Sequence, residues 1–274
     1  MELELFIGEI ADRILKYLQA ADEPGKVAEP MPHTSLSKTT DLKLPLEGHG
    51  MDAVLDDIDT YLRSCVKTNR PEFMNPLWGG INTAGLAGEI IATLTNTSMY
   101  TYELAPLATL IEQTILTRMG ELVGFSDGAG TLTTGGSNGN MLGMLCARQK
   151  MHPSSTQTGF DGRSLVAYVS SESHYSVLMS ANVIGIGHQN LIKVACDENG
   201  CMRPSALADE IERTRREGGI PFCVVSTAGT TVRGAFDPLK EIGDIAHAEG
   251  IWNHVDAAWG GSALFSTEHR SLME

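Results

Sequence analysis

The stretch Phe222-Cys223-Val224-Val225-Ser226-Thr227-Ala228-Gly229-Thr230-Thr231 decides the fold class. Its first half is a short apolar run rich in β-branched residues, which reads as a buried strand, and its second half is polar and turn-forming. The same unit recurs on either side. Downstream, Pro238 to Ala248 has helical spacing and Ile251 to Val255 is a strand. Upstream come a strand at Leu165 to Val169, a helix from Ser173 to Ile184, a strand at Leu191 to Val194 and a helix from Arg203 to Glu217. This alternation predicts an α/β fold, a mostly parallel sheet with helices on both faces. Ligands of such sheets sit beyond the carboxyl ends of the strands. The polar clusters Ser171-Glu172-Ser173-His174-Tyr175, Ser226 to Thr231, and Asp256 all fall at those ends.

The last strand runs into His254-Val255-Asp256-Ala257-Ala258-Trp259-Gly260-Gly261. A carboxylate set among small residues, with glycines that let another molecule approach the backbone, suits the ring nitrogen of a cofactor. An aspartate capping the next turn is the commoner arrangement, and this segment alone does not choose between them. A second informative stretch, Gly130-Thr131-Leu132-Thr133-Thr134-Gly135-Gly136-Ser137-Asn138-Gly139-Asn140, leads into an apolar helix. It offers backbone N–H groups and hydroxyls to an anion such as phosphate, although a capped helix after a flexible turn has the same composition. It is neither the nucleotide P-loop nor the dinucleotide fingerprint. His174 can equally be a core histidine, and Thr227 and Thr230 turn formers; their shared crevice is what favours a ligand site.

The first half of the chain is plainer. Residues 3–20 carry Leu5, Ile7, Ile10, Ile14 and Leu18 at helical spacing. Residues 24–47, with Pro24, Pro30, Pro32 and Pro45, read as an extended arm of the kind that wraps a partner subunit. Helices are predicted from Met51 to about Lys67 and from Pro106 to Val123, separated in part by an ordered loop through Asn69 and Gly80. The expected organisation is an N-terminal helix and arm over 1–50, then a larger domain over 51–274.

With 34 acidic against 20 basic residues, the net charge of -14 opposes binding to nucleic acid or to an anionic membrane. The five cysteines include no C-x-x-C pair, which argues against a disulfide framework or a zinc site. No positive n-region or long apolar run opens the chain, and a cytoplasmic setting is expected.

Taken together, the motifs Gly135 to Asn140, Ser173-His174-Tyr175-Ser176, Thr227 to Thr231 with Gly234-Ala235-Phe236-Asp237-Pro238, and His254 to Gly261 resemble the group II pyridoxal-phosphate-dependent amino-acid decarboxylases. Within that group the chain looks most like the glutamate and cysteine-sulfinate branch, to which Asn96 to Pro106 is also similar. The resemblance runs from about Met51 to the C-terminus. It implies the large domain of fold-type I pyridoxal-phosphate enzymes, incomplete in this chain, with pyridoxal 5'-phosphate as cofactor, no metal and a small amino acid as substrate. By position it implies that Asp256 pairs with the pyridine nitrogen and that His174 stacks on the ring and assists proton transfer. Ser137 and Asn138 would hold the phosphate, Thr227 would contact the ring oxygen, and Ala258 would pack against the ring. Phe73 and Asn75 fall on the loop that matches the family's substrate side.

Two departures stand out. The family's Schiff-base lysine lies further beyond the ring-nitrogen aspartate than this sequence extends, and none of the residues after Asp256 is lysine. The remaining strands and the small C-terminal domain are also missing, which would leave an apolar edge and part of a core uncovered. The expectation is a second polypeptide that carries these parts and the lysine, with such pairs forming dimers; a fragment of a longer protein would have the same sequence. The other departure is Pro76, where the acidic-substrate decarboxylases carry a glutamine. Proline has no donor for a substrate carboxylate, which counts against glutamate. Expected, then, is a decarboxylase subunit active only with its complement. Another carbanion chemistry on the same fold, such as oxidative deamination, and a non-catalytic scaffold subunit are the rival readings.

Overall fold

The computed structural model describes residues 3–21, 23, 25–29, 31–125 and 127–273. Contacts divide the chain into two units, Met1–Thr97 and Ser98–Glu274.

Among the described residues the first unit holds four helices, α1 (Leu3–Gln19), α2 (His33–Thr39), α3 (Met51–Ser64) and α4 (Thr83–Thr95). α1 packs on α3, and Arg13 ties them by a fork of bonds to Asp59, Nε at 3.0 Å and Nη2 at 3.2 Å. α3 therefore groups with α1 rather than with the sheet. Arg70 is buried and donates to the carbonyls of Glu23 and Ala20, closing the loop after α3 onto the end of α1. The proline-rich arm is not extended throughout: α2 forms in the proline-free run after Pro32, whose φ of -56° already suits a helix start. Pro24 and Pro30 of that arm lie outside the described residues. α4 has no counterpart among the predicted helices, because its Ala, Leu and Ile residues surround the axis instead of forming a stripe. It starts where Asn82 accepts the Gly85 N–H at 2.8 Å and ends at Asn96 in the left-handed region, φ 45°.

The second unit opens with α5 (Pro106–Val123), which begins on its proline and ends on Gly124 at φ 96°. There follow α6 (Gly136–Met151), the single turn α7 (Ser155–Thr158), β1 (Leu165–Ser170), α8 (Ser176–Val183), β2 (Leu191–Val194), α9 (Pro204–Arg216), β3 (Ile220–Thr227), α10 (Leu239–Ala248) and β4 (Trp252–Asp256). All strand pairs are parallel and the order is β2-β1-β3-β4. Alternation along the strands sends neighbouring side chains to two separate cores. Leu165, Ala167 and Val169 pack with Met144 and Ala147 of α6 and Val177 and Ala181 of α8. Val166, Tyr168 and Val224 pack with Leu207 and Ile211 of α9 and Ile242 and Ala246 of α10. Helices thus cover both faces, as the strand–helix alternation predicts. One irregularity lies in β3, where Val166 pairs with Pro221 but Ala167 pairs with Cys223. The extra residue, Phe222, sits next to a proline that cannot donate to the ladder, which is where a bulge is tolerated.

Two apolar surfaces stay uncovered within this unit. α5 buries none of its side chains, and Leu107, Ile111, Ile115 and Met119 are exposed. Among the described residues strand β4 pairs only with β3, and it is half-buried over most of its length. Among the described residues no helix is long and apolar enough to cross a membrane.

Candidate active site

The site forms at the carboxyl ends of β3 and β4. Their last residues, Thr227 and Asp256, are register partners, so their side chains share one face of the sheet, the face covered by α6 and α8. Asp256 is 8% exposed and Thr227 3%, so any polar atom here needs a partner.

Asp256 has two. Its Oδ1 accepts the Ala258 N–H at 3.1 Å and its Oδ2 accepts Asn140 Nδ2 at 2.8 Å. Asn140, buried on α6, spends its second amide hydrogen on Ser176 Oγ at 3.0 Å, and its Oδ1 faces His254 Nε2 at 2.9 Å. A carboxylate only accepts, so the nitrogen of Asn140 must face Asp256 and its oxygen must take the His254 Nε2–H. Burial lowers the His254 pKa, against the opposing pull of the Asp256 carboxylate, and keeps this imidazole neutral. His174 completes the chain. Its Nδ1 accepts the Ser176 N–H at 3.2 Å and lies 2.8 Å from Ser176 Oγ, which places the ring proton on Nε2. The His174 ring also leans on Tyr175, centroids 4.2 Å apart.

Thr227 is fixed from behind by Asp237, whose Oδ2 accepts the Thr227 N–H at 2.7 Å and whose Oδ1 accepts the Met202 N–H at 2.6 Å. Burial raises the Asp237 pKa, and those two N–H bonds pull it back down. The Thr227 hydroxyl, in contrast, is buried with no hydrogen-bond partner. The start of α6 lies beside the Asp256 turn: a Cβ added to Gly136 would come 2.7 Å from the Ala258 Cβ. Ser137 and Asn138 follow directly, at a helix start that no side chain caps.

Of the residues proposed from sequence, the structure therefore links His174 and Asp256 through Ser176 and Asn140, sets Thr227 beside Asp256, and brings Ala258 against the glycine turn that carries Ser137 and Asn138. Phe73 and Asn75 belong to the N-terminal unit. There Phe73 meets Trp78 edge-on at 6.2 Å and Asn75 Oδ1 accepts the Leu77 N–H at 2.9 Å. Sequence reasoning passed over Asn140, Ser176, His254 and Asp237 as working parts. A signal for Asn140 was present: it lies with Gly136, Gly143 and Ala147 at helical spacing, a lone amide on a stripe of small residues that faces the sheet.

Residues 32–274 match the family model of the pyridoxal-dependent decarboxylase conserved domain. The chain belongs to this family. Its cofactor is accordingly pyridoxal phosphate. The chain is 41% identical over 273 residues to acidic amino acid decarboxylase GADL1 of Mus musculus, covering 98% of this chain and 50% of that one. It is 40% identical to cysteine sulfinic acid decarboxylase of Mus musculus over 97% of this chain and 53% of the relative. The crystal structure of mouse CSAD in apo form superposes with a TM-score of 0.94 at 39% identity, covering 99% of this chain and 57% of that one. The chain spans about half the length of the curated relatives it matches.

Three local features fit the family's cofactor. The Thr227 hydroxyl is an orphaned buried donor beside Asp256. Each Asp256 oxygen takes one N–H and keeps a lone pair for a further donor. The close approach at Gly136 leaves an uncapped helix start, with its amide groups and positive dipole end, beside the same turn.

Proposed function

We propose that this chain is the cofactor-binding half of a pyridoxal-phosphate-dependent carboxy-lyase that acts on a small acidic amino acid. The Schiff-base lysine is supplied by a complementary polypeptide, and such pairs form dimers. The observation that carries this reading is the buried carboxylate of Asp256 at the end of β4, held on both oxygens and flanked by the orphaned Thr227 hydroxyl. The names of the relatives support an acidic substrate. The exposed apolar side of α5 and the singly paired β4 support a partner, and the cysteine pattern supports a reducing, cytoplasmic setting.

When bound, pyridoxal phosphate supplies an electron sink for the electron pair left on the substrate carbon as carbon dioxide departs. The protein's part is electrostatic and positional. Asp256 holds a proton on the pyridine nitrogen, its negative charge kept in place by the Asn140 amide and the Ala258 N–H. Thr227 donates its hydroxyl to the ring oxygen. Ser137, Asn138 and the first amides of α6 hold the phosphate. His174 holds Nδ1 on Ser176, which leaves its Nε2–H for a hydrogen bond to the bound substrate or cofactor, where it would assist proton transfer at the substrate carbon.

The test is co-expression with the complementary half, followed by visible absorbance and carbon dioxide release from cysteine sulfinate, aspartate and glutamate. Cofactor absorbance with release from at least one of them is expected. A folded complex that takes up cofactor but consumes oxygen and yields ammonia, peroxide and an aldehyde in place of the amine would replace simple decarboxylation by decarboxylation coupled to oxidative deamination, and one that binds no cofactor would overturn the enzyme reading.

A further inference from the structure

Asn140 makes three hydrogen bonds with a single amide, two to β4, at Asp256 and His254, and one to Ser176 at the start of α8. It is 4% exposed. The donor roles are fixed from one end to the other. His254 gives Nε2–H to the Asn140 oxygen, Asn140 gives one hydrogen to Asp256 and one to Ser176 Oγ, and the Ser176 hydroxyl gives its hydrogen to His174 Nδ1, which the Ser176 N–H already marks as an acceptor. No member can reverse its role without leaving a buried donor facing a donor or an acceptor facing an acceptor.

We propose that Asn140 is a positioning residue that sets two working groups at once: the orientation of the Asp256 carboxylate and, through the Ser176 hydroxyl, the stronger of the two hydrogen bonds that hold His174 Nδ1. The inference rests on the function proposed above, and it goes further by coupling the group beneath the ring nitrogen to the group over the ring through one neutral amide. The amide must be neutral. An aspartate here would place a second carboxylate against Asp256 and would draw the Ser176 hydroxyl hydrogen away from His174 Nδ1.

The direct test is 15N NMR of histidine-labelled protein carrying its complementary half, with His174→Gln used to assign the signal. The unmutated protein should show His174 as the Nε2–H tautomer, with or without pyridoxal phosphate. Asn140→Asp, nearly isosteric, should shift the His174 Nδ1 resonance, because Nδ1 loses the Ser176 hydroxyl at 2.8 Å and keeps only the Ser176 N–H at 3.2 Å; an unchanged spectrum would overturn the inference. Should that variant fail to fold, Asn140→Leu and Ser176→Ala supply a second measure. Asn140→Leu should weaken pyridoxal phosphate binding about tenfold or more and lower kcat. Ser176→Ala should lower kcat and leave cofactor affinity alone, and the double variant should be no worse than Asn140→Leu, since both cut one chain. Additive losses would assign Asn140 a merely structural role and overturn the proposal. A protein that binds no pyridoxal phosphate at all defeats the proposed function, while the shift of the His174 Nδ1 resonance still decides the role of Asn140.

Discussion

Asn140 Nδ2 stands 2.8 Å from Asp256 Oδ2, although 116 positions separate the two residues in sequence. The bond fastens the small-residue stripe of α6 to the edge strand β4, so the glycine-rich turn and the aspartate turn are placed by the same contact. Its geometry depends on how closely α6 approaches the sheet, and that approach depends on glycine.

Gly143 lies three residues after Asn140, on the side of α6 facing His254. A Cβ there would overlap the His254 imidazole, which Asn140 holds by its Nε2. Gly143→Ala gains about 1 kcal/mol of helix propensity but overpacks a clamped ring at a cost of about 1–3 kcal/mol. A net loss of stability is therefore expected. A fall in the urea midpoint at unchanged m-value checks it, and a raised midpoint would show that the ring gives way.

The Thr227 hydroxyl is buried without a partner, so in the absence of cofactor it contributes nothing and bears a desolvation cost of about 1–3 kcal/mol. Thr227→Val keeps the shape and removes the hydroxyl. The variant should be at least as stable as the unmutated protein without cofactor, and it should gain less stability on adding pyridoxal phosphate. Thermal unfolding with and without cofactor checks both halves. A variant that loses stability without cofactor would mean that the hydroxyl already has a partner.

His254 should make stability depend on pH. Burial lowers its pKa below the ordinary 6.5, so the unfolded chain binds this proton more readily than the folded one. Its contribution is complete above about 6.5 and is lost as pH falls below that value through the folded pKa. A second ring proton, on Nδ1, would sit on the side of the ring that faces Gly143. Denaturant titrations from pH 7.5 down to 5 should show a decline that His254→Gln reduces. Equal slopes in both proteins would assign the decline to other groups.

How much of this was legible beforehand differs by region. The α/β alternation could be read because β1, β2 and β3 are short apolar runs between helices with charged outer faces; the boundaries of α5 could be read from Pro106 and Gly124. The positions of Asp256, Thr227 and His174 at strand ends follow from the same alternation. α2 and α4 were not legible: the first hides between prolines, and the second has no polar face to set a period. The hydrogen-bond chain through Asn140, Ser176 and His254 was hidden for another reason. Spacing along a sequence places a residue on a face, but it does not say which atom of a distant strand that face will meet, and all three links span elements far apart in the chain or fold back within a turn. Asp237 was likewise readable as part of a motif, whereas its hold on the Thr227 and Met202 amides appears only in three dimensions.

The central claim is that Asp256 is the counter-charge to the cofactor's ring nitrogen, and Asp256→Ala tests it most directly in the complex with the complementary half. Carbon dioxide release per bound cofactor should fall by at least about 100-fold, because the electrostatic partner of the electron sink is removed while the rest of the site remains. Release within a few-fold of the unmutated complex, at equal cofactor occupancy, would contradict the account.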